Sequence, residues 1–94
     1  MKVSEVTNVQ IVEYLRLDPD EIPAEIEPIR KAAVEYMKSY TGMNDKELDE
    51  HEEFYIAFLV LCQDMYDNRA MTAANGNINK TVSTILDMHR KNLL

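Results

Sequence analysis

The chain has 94 residues and a formal net charge of −7, with 17 acidic residues, 10 basic residues and 1 cysteine. This length fits one small domain, and a single cysteine excludes a fold stapled by intramolecular disulfides. With 2 glycines and 3 prolines the chain has too few turn residues for an all-β fold. It also lacks a signal peptide and any apolar run near the roughly 20 residues that span a bilayer. We therefore expect a soluble protein made in a cytoplasm.

The charge is distributed unevenly along the chain. Residues 1–53 hold 14 acidic and 6 basic residues, whereas residues 54–94 hold 3 acidic and 4 basic ones. The first part therefore carries a net charge of −8 and the second part +1. No run of lysines and arginines occurs in either part. This balance argues against a protein that grips nucleic-acid phosphates by bulk electrostatic attraction.

The spacing of apolar residues predicts helices along most of the chain. We place them at about 8–16, 22–41, 45–49, 51–70 and 79–93. Thr7 or Asn8 can cap the first helix, and Gly42 can end the second in a left-handed conformation. Pro28 would distort the second helix if that helix began at Pro23.

Acidic residues crowd the connection at 45–53. Asn44 and Glu47 have the spacing of a capping box, which predicts the short helix that ends near Asp49. Glu47 and His51 could lie on one helical face as two metal ligands, but two residues do not make a site. The Glu-x-x-His spacing of di-iron bundles is absent. We therefore interpret this stretch as a solvated, charged connection.

The apolar run at 54–62 predicts the central element of the fold. Its continuation at helical spacing into Met65 and Tyr66 favours a long helix at about 51–70 over a buried strand. A helix that is apolar nearly all round is buried on most sides, so Cys62 is expected to be a small buried hydrophobe. The prediction is a single all-α domain at 1–94, a small bundle of four to five helices around this one.

The last part of the chain is less regular. Small and polar residues at 72–79 predict a loop, and Asn75-Gly76 allows a small hairpin there. Asn79 can cap the last helix, whose apolar face includes His89. No glycine-rich phosphate loop and no nucleophile with a motif around it occurs anywhere in the chain. We therefore expect no enzymatic activity, no cofactor and no bound metal.

Four segments stand out by their order and wording. They read VQIVEYLRLD at 9–18, IRKAAVEYMKSYTG at 29–42, IAFLVLCQDMYDNR at 56–69 and VSTILDMHR at 82–90. Taken in this order, they resemble the small head–tail connector proteins of tailed phages, which are also described as DNA-packaging proteins. The resemblance covers nearly the whole chain, and it depends on the order of the segments because none of them is a catalytic signature.

The resemblance implies a structural protein of a tailed phage or prophage. Copies would form a ring, matched to the twelve-fold portal, that docks beneath the portal protein after DNA packaging. The ring would extend the DNA channel and present a surface to the next head-completion or tail protein. DNA would pass through without sequence-specific binding, no membrane would be involved, and the protein would reside in the virion at the head–tail junction.

Charge and composition suggest which surfaces would meet in such a ring. Ring contacts join two different patches of one subunit, and the acidic connection and the neutral to basic carboxyl-terminal part are two such patches. The candidate interface residues are Tyr66, Arg69, Met71, Asp45, Glu47 and Glu50. The alternative is a generic acidic helical adaptor or regulator of a prophage, such as a DNA mimic or a transcription-related protein.

Overall fold

The computed structural model describes residues 2–67 and 80–88, and in this part of the chain the fold is all-α, without strands. A 3-10 turn at Val3–Glu5 precedes the helices. The helices are α1 Asn8–Tyr14, α2 Ile26–Thr41, α3 Asp45–Asp49, α4 Phe54–Asp67 and α5 Lys80–Asp87. The predicted small bundle with a central fourth helix is confirmed. The loop or hairpin predicted at 72–79 lies outside the described residues.

The helix α4 forms the centre of the fold because its sequence is almost entirely apolar. It packs against α1, α2, α5 and the 3-10 turn. The side chains that it buries are Phe54, Ala57, Phe58, Leu61 and Cys62. Their spacing of three and four residues marks one face of a helix. The helix begins three residues later than the predicted start near 51, and its predicted end near 70 lies outside the described residues.

The opposite side of α4 is covered less well than its sequence suggests. Ile56 is 44% exposed, and Leu59 and Val60 are only half-buried. The expectation that this helix is buried on most sides therefore holds for one face only. Periodicity could not show the difference, since an uninterrupted apolar run contains no polar stripe that marks an outer face.

The two ends of α2 follow from local chemistry. The helix begins at Ile26, not near 22, so Pro28 is its third residue. The first N–H groups of a helix have no acceptor within it, and a proline there costs no hydrogen bond. Gly42 ends the helix with a φ of 75°, as predicted. The buried Thr41 hydroxyl donates to the carbonyl of Met37 at 2.6 Å and accepts from the N–H of Met43 at 3.2 Å.

The helix α1 begins at Asn8, with Thr7 as its cap, and ends in a left-handed residue that is not glycine. Arg16 has a φ of 62°. Its N–H donates to the carbonyl of Glu13 at 3.0 Å, and the N–H of Leu17 donates to the carbonyl of Val12 at 3.0 Å. These two bonds define the Schellman motif, in which the residue after the helix is most often glycine.

We expect Leu61→Ala to lower the free energy of unfolding by roughly 2–5 kcal/mol, because the lost side chain leaves a cavity in the core. Leu59→Ala removes the same atoms from a half-buried position of the same helix and should cost clearly less. Urea denaturation of both variants measures the difference. A loss below about 0.5 kcal/mol for Leu61→Ala would contradict its burial.

We expect Arg16→Gly to raise the free energy of unfolding by up to about 1 kcal/mol, because glycine removes the steric conflict of Cβ in a left-handed conformation. Gly42→Ala makes the reverse change at the end of α2 and should lower stability by a similar amount. Thermal or urea unfolding of both variants checks the pair. Destabilisation by Arg16→Gly would show that the arginine side chain contributes more than its backbone strain costs.

Candidate assembly interface

The acidic connection is held in place by hydrogen bonds at the start of α3. Asn44 Oδ1 accepts from the N–H of Glu47 at 2.8 Å, and Glu47 Oε1 accepts from the N–H of Asn44 at 3.1 Å. This is the capping box that the sequence predicts. Because the Glu47 carboxylate takes part in it, Glu47 serves the helix first, and its half-buried position leaves it less available to a partner than its neighbours.

A second contact ties this connection to the amino-terminal turn. The carboxylate of Asp49 accepts from the N–H of Ser4 at 3.0 Å and from its hydroxyl at 2.6 Å. One carboxylate thus receives both donors of a residue 45 positions away. Sequence analysis did not find this pair, since no local pattern links residues so far apart.

Among the predicted interface acids, Asp45 and Glu50 present the more open carboxylates. Both residues are exposed. Lys38 Nζ lies 3.6 Å from Asp45 Oδ2, but the Asp45 side chain remains 70% exposed. An exposed ion pair of this kind stabilises a fold by less than about 1 kcal/mol, so it does not prevent either charge from meeting a partner.

Tyr66 lies on a different part of the surface. It is half-buried near the end of α4, whereas the acidic connection precedes the start of that helix. The rise of an α-helix separates Phe54 from Tyr66 by about 18 Å along the axis. The structure therefore does not bring Tyr66 together with Asp45, Glu47 and Glu50. Arg69 and Met71 lie outside the described residues.

His51 packs in the fold as a side chain of mixed character. Its ring lies against that of Phe54, with centroids 5.0 Å apart and planes at 45°. Within residues 2–67 and 80–88, His, Cys, Asp and Glu side chains form no group of three or more that could hold a metal ion. The expectation that the protein binds no metal stays a prediction, as does that for His89, which lies beyond these ranges.

Cys62 occupies the centre of the core. It is fully buried on the inner face of α4, and this burial raises the pKa of its thiol to about 12. The thiol therefore remains protonated at neutral pH and is a poor nucleophile, since the thiolate is the reactive form. Its position agrees with the interpretation of a small buried hydrophobe.

A polar cluster that the sequence did not reveal joins α1 to α2. Arg30 Nη2 donates to Glu27 Oε1 at 2.6 Å, and Arg30 Nε donates to Asn8 Oδ1 at 2.9 Å. The amide of Asn8 in turn donates to Glu27 Oε1 at 3.1 Å. The spacing of Glu27 and Arg30 on one helix was visible in the sequence, but the participation of Asn8, 19 residues before Glu27, was not.

A further long-range contact joins α2 to α5. The hydroxyl of Tyr40 donates to Asp87 Oδ1 at 2.8 Å, and the ring of Tyr40 stacks on that of Tyr36 with centroids 6.0 Å apart. This contact places the end of α5 beside the end of α2. The buried Val82 and Leu86 fix the rest of α5 against the core, as their spacing in the sequence predicts.

No family model, no curated protein and no solved structure matches the chain. Each helix in the described ranges is too short or too polar to cross a membrane.

We expect Glu27→Gln to destabilise the fold at neutral pH and to do so less as the pH falls. Hydrogen bonds from Arg30, and then from Asn8, hold the pKa of Glu27 below its ordinary value of 4.5. A lowered pKa in the folded state stabilises the fold above the ordinary value, and this stabilisation is lost as the pH falls below it. Urea denaturation between pH 7 and about 3 measures the gap between wild type and variant.

Glu35→Gln is the matched control, because Glu35 also faces a base three residues ahead, at the longer distance of 3.5 Å from Lys38. Its gap from wild type at neutral pH should be smaller. A Glu27→Gln gap that does not narrow on acidification would contradict a role for the ionised carboxylate.

Proposed function

We propose that the chain is a structural subunit of a tailed phage or prophage, and that a ring of its copies docks beneath the portal after DNA packaging. The ring extends the DNA channel and joins the head to the tail. One observation carries this proposal: four segments of the sequence resemble the head–tail connector family in the same order along nearly the whole chain. The segments at 9–18, 29–42, 56–69 and 82–90 overlap α1, α2, α4 and α5, respectively.

The charge of the surface supports a conduit. The exposed carboxylates of Asp45 and Glu50 and the net charge of −7 would repel the phosphates of passing DNA. A channel that repelled its cargo would let DNA move without adhering. The protein would then reside in the virion, with the portal protein on one side and the next head-completion or tail protein on the other.

Separate surfaces on one subunit also support a ring. Heterologous contacts, which generate rings, require two different patches. The acidic connection lies before α4 and Tyr66 lies near its far end, so one subunit can meet two neighbours at once. Arg69 and Met71, which follow Tyr66 in the sequence, supply a positive charge and apolar area for this contact.

The alternative is an acidic helical adaptor or regulator. Exposed acids at 45–50 favour this function only in part, because a DNA mimic needs many carboxylates spread over one face. Here Glu47 and Asp49 are engaged by Asn44 and Ser4. We therefore rank the connector first.

We expect the protein to be monomeric when dilute and to form larger species at high concentration or on a portal ring. Exposed ion pairs contribute only about 0.2–1 kcal/mol each, so a contact oriented by charge should also weaken as salt is raised. Light scattering across protein and salt concentrations measures both effects. A protein that stays monomeric at millimolar concentration and does not bind a portal ring would rule out the connector.

Charge reversal tests the choice of interface separately. Glu50→Arg and Arg69→Glu should each weaken assembly, and the double variant should recover part of it if the two residues meet. Glu13→Arg reverses an exposed acid on α1 and serves as the control. If assembly persists unchanged in all of these variants, the connector proposal survives and this interface is wrong.

A further inference from the structure

The outer face of α4 is the apolar surface that the described fold leaves least explained. We define this face by Ile56, Leu59, Val60 and Gln63. A rotation of 100° per residue places these four side chains opposite the buried ones. Ile56 is 44% exposed although it belongs to the central helix. An apolar face on the element that organises the fold is typical of a binding surface.

Acidic residues flank both ends of this face. Glu50 is exposed just before α4, and Asp67 is exposed where the described part of the helix ends. The helix itself contains no basic residue, as its sequence FYIAFLVLCQDMYD shows. The complementary partner is therefore a short segment that combines apolar side chains with positive charge and carries no acid.

The chain contains such a segment at 89–94. Its sequence is HRKNLL, which combines Arg90 and Lys91 with Leu93 and Leu94 and has no acidic residue. The other stretch outside the described residues, at 68–79, carries Arg69 as its single lysine or arginine and has no leucine. Charge and apolarity together select 89–94 as the occupant.

The fold also directs this segment toward the right end of the molecule. The hydrogen bond between Tyr40 and Asp87 holds the end of α5 beside the end of α2. The end of α2 leads through the short α3 to the start of α4, where Glu50 and Ile56 lie. Met88 is 68% exposed, so the chain leaves the fold at the surface of this end.

A subunit's own segment is poorly placed to cover its own outer face. Val82 and Leu86 of α5 belong to the same buried core as the inner face of α4. Six extended residues span at most about 20 Å, and a helix with its side chains is about 10–12 Å wide. Passing around α4 would use most of this length before Leu93 and Leu94 could lie along the outer face. A neighbouring copy meets no such limit.

We propose that residues 89–94 of one subunit pack on the outer face of α4 in the next subunit, with Arg90 and Lys91 near its acidic flank and Leu93 and Leu94 against Ile56 and Val60. The contact joins two different patches, so it can close into a ring. This inference rests on the proposed function, because it requires copies to assemble side by side.

A cysteine pair tests the contact directly in the full chain. Ile56→Cys and Leu93→Cys are combined, and the buried Cys62 is kept because its protonated thiol reacts slowly. Mild oxidation at assembling concentration should give a ladder of covalent dimers, trimers and higher species. Each single variant can give dimers at most, and Arg16→Cys with Leu93→Cys, which places the first cysteine on another exposed residue, should give no ladder.

A matched pair of substitutions measures the energetic weight of the face. Ile56→Asp should raise the concentration needed for assembly by about tenfold or more, since it places a charge in an apolar contact. Val9→Asp changes a residue that is 41% exposed, close to the 44% of Ile56, and should leave assembly unchanged.

The outcomes separate the contact from the ring. If wild type assembles but the cysteine pair gives no bridge, or gives only an internally bridged monomer, the contact is overturned and the connector proposal stands. If Ile56→Asp assembles like Val9→Asp, the outer face is not the interface. If wild type neither assembles nor binds a portal ring, both proposals fail together.

Discussion

Burial of one face of α4 is the constraint on which the rest of the structure depends. The two phenylalanines and the leucine on that face stabilise the fold by roughly 1.5–3 kcal/mol each when they leave water. The amphipathic helices α1, α2 and α5 supply the apolar surfaces that cover them. With one side of α4 committed in this way, the other side becomes the largest unexplained apolar surface of the central helix.

Apolar packing alone does not fix how the helices are arranged, and a few side-chain hydrogen bonds supply that information. Asp49 holds the amino-terminal turn, the carboxylate of Glu27 and the amide of Asn8 join α1 to α2, and Tyr40 holds the end of α5. Each bond contributes about 0.5–1.5 kcal/mol, which is modest beside the core. Their effect is to select one arrangement among several that would bury the same area.

Features set by neighbouring residues were predictable from the sequence, and features set by distant residues were not. Gly42 and the Asn44 capping box depend on backbone geometry within one turn, so the end of α2 and the whole of α3 were predicted well. The starts of α2 and α4 fell three to four residues late, because turns before them compete with helix formation. Of the candidate interface, the exposure of Asp45 and Glu50 follows from their polarity, whereas the double role of Glu47 required the structure.

The ties of Ser4 to Asp49 and of Tyr40 to Asp87 span 45 and 47 residues, and they overlap in the stretch around α3. Neither half of the chain contains both partners of its tie. Cutting the protein near its middle would therefore break one or both links and expose α4, so unfolding should be a single cooperative transition. A minimal assembling fragment cannot be obtained by trimming from either side; the whole bundle is the smallest working unit.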